Sequence, residues 1–199
     1  NNQISKSNIF GLIVLLGAET TGALTFHLND KNQKHQESSF RSIPLEELKE
    51  RIKQRSRVSI ATWDDKQRLS IAGMQEKLPI MIKPDGQYGF GEGKFASTHI
   101  MKFNTKLETY MVINEFFCMK LAAKVNIPTA KVSLDYFDEP VLLVERFDRQ
   151  WNMDTIDRLH LIDGCQILDL PPTYKYERPF GSSGDAGIIR TGASLSELF

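Results

Sequence analysis

Apolar positions along the 199-residue chain change their spacing from one stretch to the next. Residues 8–16 form an apolar run behind Asn8, a candidate cap. A run this short fits a short helix or a buried strand equally well. Residues 21–28 alternate and predict a strand, with His27 among the polar positions, and 29–39 are polar enough to predict a loop. Pro44 then opens a helix in which Leu45, Leu48 and Ile52 share one face and acids precede bases, the order favoured by the helix dipole. This opening region reads as a packing module without chemistry.

From Val58 the pattern turns to a period of two. Strands are predicted at 68–72, 78–83, 87–90 and 98–103, with Pro84-Asp85-Gly86 as a turn between two of them. Residues 107–125 predict a helix of about five turns at ~3.6 residues each. Tyr110, Ile113, Phe117 and Leu121 form its apolar stripe, and Glu108, Glu115 and Lys120 are its principal charges. Asn126-Ile127-Pro128 stops it, because proline disfavours helix in the residue before it. Residues 130–136 and 140–145 then read as an antiparallel pair around Phe137-Asp138-Glu139, followed by an abrupt charged linker over 145–149.

Composition narrows the class. A chain with 41% hydrophobic residues can bury a real core in one or two small domains. Its 25 basic and 25 acidic residues balance, so no net field draws it to nucleic acid or an anionic membrane. Cys118 and Cys165 lack a Cys-x-x-Cys spacing, which indicates neither a disulfide framework nor a zinc site. On that cysteine usage cytoplasmic residence fits best, and the longest apolar run is too short for a membrane span and lacks signal-peptide order. The chain has no initiator Met and opens inside an element, which leads us to expect a start cut from something longer.

Candidate chemistry lies in the β-rich part. Arg68-Leu-Ser70-Ile-Ala-Gly73-Met-Gln-Glu76-Lys77 reads as a strand entering a tight polar turn before the next strand. Such a turn is either an ordinary hairpin or a loop whose free N–H groups cover an anion. Gly89, Gly91 and Gly93 before Lys94 fail as a phosphate loop, because Phe95 stands where Ser or Thr is required; they read instead as a flexible hairpin end. Thr98, Ile100 and Lys102 share one strand face, so Lys102 either snorkels to water or points at an anion. Glu115 sits on a largely apolar side of its helix, where it either faces solvent or needs a cationic partner. Lys102 is a sensible partner, because a lysine held by a helical glutamate is how kinase-like folds fix a phosphate-binding ammonium.

Ser70-Ile-Ala-Gly-Met-Gln-Glu-Lys77, Ser97-Thr-His-Ile-Met-Lys102, Asn114-Glu115-Phe-Phe-Cys-Met-Lys-Leu-Ala and Val144-Glu-Arg-Phe-Asp-Arg-Gln-Trp151 together resemble the HipA family of bacterial toxin serine/threonine kinases. The match continues through Arg158-Leu159, Cys165-Gln166 and Lys175-Tyr176-Glu177, and residues 11–24 resemble the end of that family's amino-terminal subdomain. Ile71 and Met74 are mild departures, where Val and Ala are expected. The resemblance implies an α+β chain in three parts. Residues 1–57 would be a partial amino-terminal subdomain. Residues 58–150 would be a kinase-like small lobe, an antiparallel sheet with one long helix, ending in the hinge. Residues 151–199 would begin a helical large lobe.

It also implies roles. Lys102 would bind ATP phosphates and Glu115 would orient it. Glu145 and Phe147 would meet adenine at the hinge. Gly73, Met74, Gln75, Glu76 and Lys77 would close over the phosphates, and Ser70 would be the self-phosphorylation site. About two added negative charges there would repel the nucleotide and switch the kinase off. The family further implies ATP with Mg2+, a DNA-binding antitoxin of the HipB type, a protein substrate such as an aminoacyl-tRNA synthetase, and a link to growth arrest and persistence.

The departure concerns catalysis. The family's catalytic aspartate and magnesium ligands lie in a segment resembling Asp-Gly-His-x-Lys-Asn, and no such segment occurs here. Asp163-Gly164-Cys165 lacks the His, Lys and Asn, Asp185 lies too near the end, and Asp157, Asp163 and Asp169 read as solvated acids. The expectation is a nucleotide-facing portion, catalytically incompetent alone. The alternative is a naturally short binding module that engages a partner or a full kinase.

Overall fold

The computed structural model of the chain describes residues 8–17, 19–26, 38–64, 66–68, 75–105 and 107–198. Two compact units divide the chain, Asn1–Leu159 and His160–Phe199.

In the first unit a short helix α1 (Ile9–Leu16) is capped by the Asn8 side chain, which accepts from the Gly11 N–H. Strand β1 (Ser39–Ser42) precedes helix α2 (Leu45–Gln54), whose Leu48 and Ile52 are buried. Two-residue strands β2 (Thr62–Trp63) and β3 (Lys66–Gln67) pair with each other. Then follow β4 (Lys77–Ile82), β5 (Tyr88–Glu92), β6 (His99–Lys102), helix α3 (Met111–Lys124), β7 (Val132–Tyr136) and β8 (Pro140–Glu145). With β1 these strands build one six-stranded antiparallel sheet, in the order β1-β5-β4-β6-β8-β7. A hairpin of β9 (Arg149–Asn152) and β10 (Thr155–Arg158) follows the linker.

Each face of the sheet has its own cover. Leu78, Ile80, Met101, Phe103, Val141 and Leu143 pack with Leu48 and Ile52 of α2. Leu142 and Val144 of β8 and Val132 of β7 pack on the other side against Val112 of α3, with Phe116 and Met119 partly buried beside them. Both faces of the central strands are therefore apolar, and the pairing register is fixed from both sides.

Three expectations need correction. Residues 21–26 form no strand. Gly22 takes φ +78°, and its N–H and C=O bond Asp148 and Arg149 side chains rather than a ladder. Helix α3 starts at Met111, not 107, where the Asn104 side chain accepts the Val112 N–H. Its apolar stripe of Tyr110, Ile113, Phe117 and Leu121 is exposed, while Val112 on another side is fully buried. Apolar residues line more than one side of this helix, so spacing alone did not choose the packing side. The glycines at 89 and 91 are not a flexible hairpin end either. They lie inside β5, and a Cβ would come 2.4 Å from the Phe40 ring at Gly89 and 2.6 Å from Phe95 Cβ at Gly91.

In the second unit, α4 (Gly164–Ile167) opens on a capping box in which Asp163 accepts from the Gln166 N–H and the Gln166 side chain accepts from the Asp163 N–H. Short 3-10 turns at Pro172–Tyr174 and Gly184–Ile188 lead to α5 (Leu195–Leu198). Among the described residues no helix is long and apolar enough to cross a membrane.

Candidate functional site

Strand β6 places the lysine. Its partners on both sides set the geometry, with Lys102 opposite Lys77 on β4 and Leu142 on β8, and Ile100 opposite Pro79 and Val144. Residues directly opposite in an antiparallel ladder share a face. Lys102, Lys77, Ile100 and Val144 therefore lie on the α3 side. There Lys102 Nζ sits 2.5 Å from Glu115 Oε1, and both side chains are about three-quarters buried. A charged pair that still reaches solvent is modest in stability, but it holds the ammonium over one part of the sheet.

The linker leaves the same sheet a short distance away. Glu145 lies three residues beyond Leu142, the position facing Lys102, or about 10 Å at the strand rise of ~3.3 Å per residue. The Glu145 N–H bonds Lys131 O at 2.8 Å, and the Arg146 N–H bonds Thr98 O at 2.8 Å. The Glu145 carboxylate turns to Lys131 at 3.4 Å, and the Phe147 side chain is exposed. The Phe147 N–H has no hydrogen-bond partner among the described residues.

Of the turn before β4, Ser70, Gly73 and Met74 lie outside the described residues. Its exit is anchored. The Gln75 side chain donates to Phe103 O at 3.1 Å, and Glu76 O accepts the Phe103 N–H at 3.2 Å. The Glu76 carboxylate is taken up at 3.2 Å by Arg55, the residue that closes α2, and Arg55 also pairs with Glu139. Lys77 is buried in β4. On the opposite sheet face, burial pulls the His99 imidazole below its usual range, against the upward pull of Glu145 and Asp135.

A polar cluster that the sequence did not announce sits under the linker. Arg146 donates to Asp148 at 3.0 and 2.8 Å, to Ser97 Oγ at 2.8 Å, to Glu19 at 3.1 Å and to Thr20 O at 3.1 Å. Arg149 donates to Asp148 at 2.9 Å, to Gly22 O at 3.0 Å and to Thr20 O at 2.7 Å. Asp148 also accepts the Gly22 N–H at 2.8 Å. The side chains of Arg146, Asp148 and Arg149 are 2%, 6% and 1% exposed, so each charge depends on its partners. Burial and the neighbouring Arg146 push the Arg149 guanidinium down, opposed by Asp148 and Glu19. The one signal available in sequence was the density of charge in Glu145-Arg-Phe-Asp-Arg149, which reads equally well as a solvated linker.

Burial would raise the Asp148 carboxyl, but Arg146, the Gly22 N–H and Arg149 outweigh it and bring it down to about 2. An unfolded Asp titrates near ~3.9. The stabilisation is therefore complete above about pH 4 and is lost as pH falls through the folded-state value. It amounts to about 2 kcal/mol at neutral pH. Asp148→Asn should be less stable at pH 7 and should flatten the stability profile between about pH 4 and 2 in urea titrations. A variant profile as steep as wild type's would refute the assignment.

Asp157 accepts from Asn152, and Asp163 is the helix cap. The described residues contain no group of three or more His, Cys, Asp or Glu able to hold a metal ion.

A six-stranded antiparallel sheet with a lysine strand paired to a glutamate helix and running to a linker is a kinase-like small lobe. The family profile of the HipA-like C-terminal domain matches residues 69–196, and the chain belongs to that family. It is 38% identical over 200 residues to the serine/threonine-protein kinase toxin HipA of Shewanella oneidensis, covering 98% of this chain and 45% of that protein. It is 32% identical over 184 residues to the putative kinase Y4mE of Sinorhizobium fredii, covering 87% of this chain and 42% of the relative. The structure of Shewanella oneidensis HipA in complex with HipB and operator DNA superposes with a TM-score of 0.79 at 37% identity, covering 98% of this chain and 45% of that one. The chain thus spans under half the length of these relatives.

Proposed function

We propose that this chain supplies the nucleotide-gripping part of a HipA-like toxin serine/threonine kinase of a toxin–antitoxin system. The observation that carries the reading is the Lys102–Glu115 pair on the sheet whose strand β8, the neighbour of the lysine strand, runs into the 145–149 linker. Lys102 meets the ATP phosphates, and Lys77 lies directly opposite it on β4. Glu145 and Phe147 present backbone groups to adenine, with the Phe147 N–H as donor. Residues 73–77 cover the phosphates.

The protein's reaction on this reading is phosphoryl transfer from ATP to a protein serine. The described residues offer no carboxylate cluster for magnesium, so no metal ligand is assigned to them. On this reading residues 58–150 carry the grip, 1–57 belong to the amino-terminal subdomain but lend β1 and α2 to the same sheet and core, and 151–199 start the next lobe. The relative crystallised with HipB and operator DNA supports a HipB-type antitoxin as partner. An aminoacyl-tRNA synthetase is the substrate class that family membership favours.

Calorimetric titration of ATP into the full-length protein tests the reading. Saturable binding is expected, and Ser70→Asp should weaken it, because negative charge in the covering turn repels the phosphates. Wild-type protein that does not bind ATP would end the proposal.

A further inference from the structure

The segment 19–22 lies far from the linker in sequence, yet it is built into the linker's underside. Glu19 is the bridging residue. Its Oε1 accepts from Ser97 Oγ at 2.8 Å and from Arg146 at 3.1 Å, its Oε2 accepts the Ser97 N–H at 3.3 Å, and Arg149 and Arg158 stand at 3.5 and 3.6 Å. Ser97 precedes β6, the strand that carries Lys102. Arg146 lies between the two hinge residues, and its own N–H is tied to Thr98 O. One carboxylate therefore joins the entry of the lysine strand to the middle of the hinge. Thr20 O and Gly22 O complete the grip by accepting from Arg146 and Arg149.

We propose that Glu19 is a positioning residue for the adenine-facing hinge, through Ser97 and Arg146, and so sets nucleotide affinity without touching the nucleotide. This rests on the nucleotide-binding reading above. The physical reason is geometric. The hinge recognises adenine through backbone groups that cannot adjust by rotamer change, so the turn's placement decides whether both reach the base. Strand β8 ends at Glu145; beyond it the Arg146 N–H to Thr98 O and the Arg149 N–H to Arg146 O hold the backbone together with the Arg146 and Asp148 side chains, and Glu19 braces the Arg146 side chain. The Lys102–Glu115 end is fixed separately by the ladder and α3. Loss of Glu19 should therefore damage recognition of the base and leave recognition of the phosphates alone.

The test uses the full-length protein and two probes, ATP and inorganic tripolyphosphate, titrated against wild type, Glu19→Gln, Glu19→Asp and Ser97→Ala. Glu19→Gln should raise the ATP Kd about 10-fold, the scale of a small misplacement of a binding group. The tripolyphosphate Kd should stay at the wild-type value. Ser97→Ala should show the same selectivity with a smaller shift, and it carries the test if Glu19→Gln does not fold. Glu19→Asp, which keeps the charge, should recover part of the affinity. The Phe147 amide resonance should move in Glu19→Gln while that of Val112 stays in place. An unchanged ratio of the two Kd values, or an unmoved Phe147 amide, would overturn the positioning role while leaving nucleotide binding intact. Wild-type protein that binds neither probe would overturn both.

Discussion

Alanine at Lys102 should lower phosphoryl transfer by the full-length protein about 100-fold, the usual cost of deleting one preorganised group that meets transition-state charge. The substitution is local. The Lys102 backbone is laddered to β4 and β8, and its side chain lies at the edge of the α3 cluster, so the sheet should keep its register. Glu115→Gln should cost less, about 10-fold, because the ammonium remains and only its anchoring charge is lost. Lys102→Arg should not rescue, since a planar fork neither reaches the same point nor pairs with Glu115 in the same way. Single-turnover phosphorylation with thermal unfolding controls separates these outcomes. A Lys102→Ala protein with wild-type rate and ATP affinity would remove the lysine from the site.

What was legible in the sequence had local causes. Helix α2 declared itself by Leu45, Leu48 and Ile52 on one face and by acids before bases; Leu48 and Ile52 are buried, while Leu45 at the first turn stays exposed. The Pro84-Asp85-Gly86 turn was readable because Gly86 takes φ +87° and its N–H returns to Lys83 O. The hairpin at Phe137-Asp138-Glu139 follows the same logic, with Asp138 at φ +64°. Lys102 and Glu115 meet because a short connection carries the chain from a strand to the helix that packs on that strand's own face. The hinge and the covering turn are proposals that the family resemblance alone supplies, since no periodicity contains them.

What was hidden had distant causes. The Glu19 contacts join residues 127 and 78 positions apart, and nothing in the alternation of 21–28 shows that Gly22 will bond side chains instead of a neighbouring strand. The choice of packing side on α3 was hidden for another reason. Val112, Phe116 and Met119 compete with Ile113, Phe117 and Leu121 for the same role, and only the position of β7 and β8 decides between them. The glycines of β5 misled in the opposite direction. A residue without a side chain suggests freedom, but here its absence lets the Phe40 ring lie against the strand.

Arg146→Ala should destabilise the fold by about 3–5 kcal/mol, the range for breaking a buried ion pair by removing one partner. The loss arises mostly from what is left behind. Asp148 would keep one guanidinium and the Gly22 N–H, and the Thr20 carbonyl and Ser97 hydroxyl would each lose a buried donor. Arg146→Met, which keeps most of the apolar volume, should be nearly as destabilising, because shape is not what the site lacks. Adding Asp148→Asn to Arg146→Met should cost less than the sum of the two changes, since the acid no longer needs the missing cation. Urea unfolding of the four proteins gives the coupling directly. Strict additivity would mean that solvent already screens this cluster, in conflict with side chains that are 2% and 6% exposed.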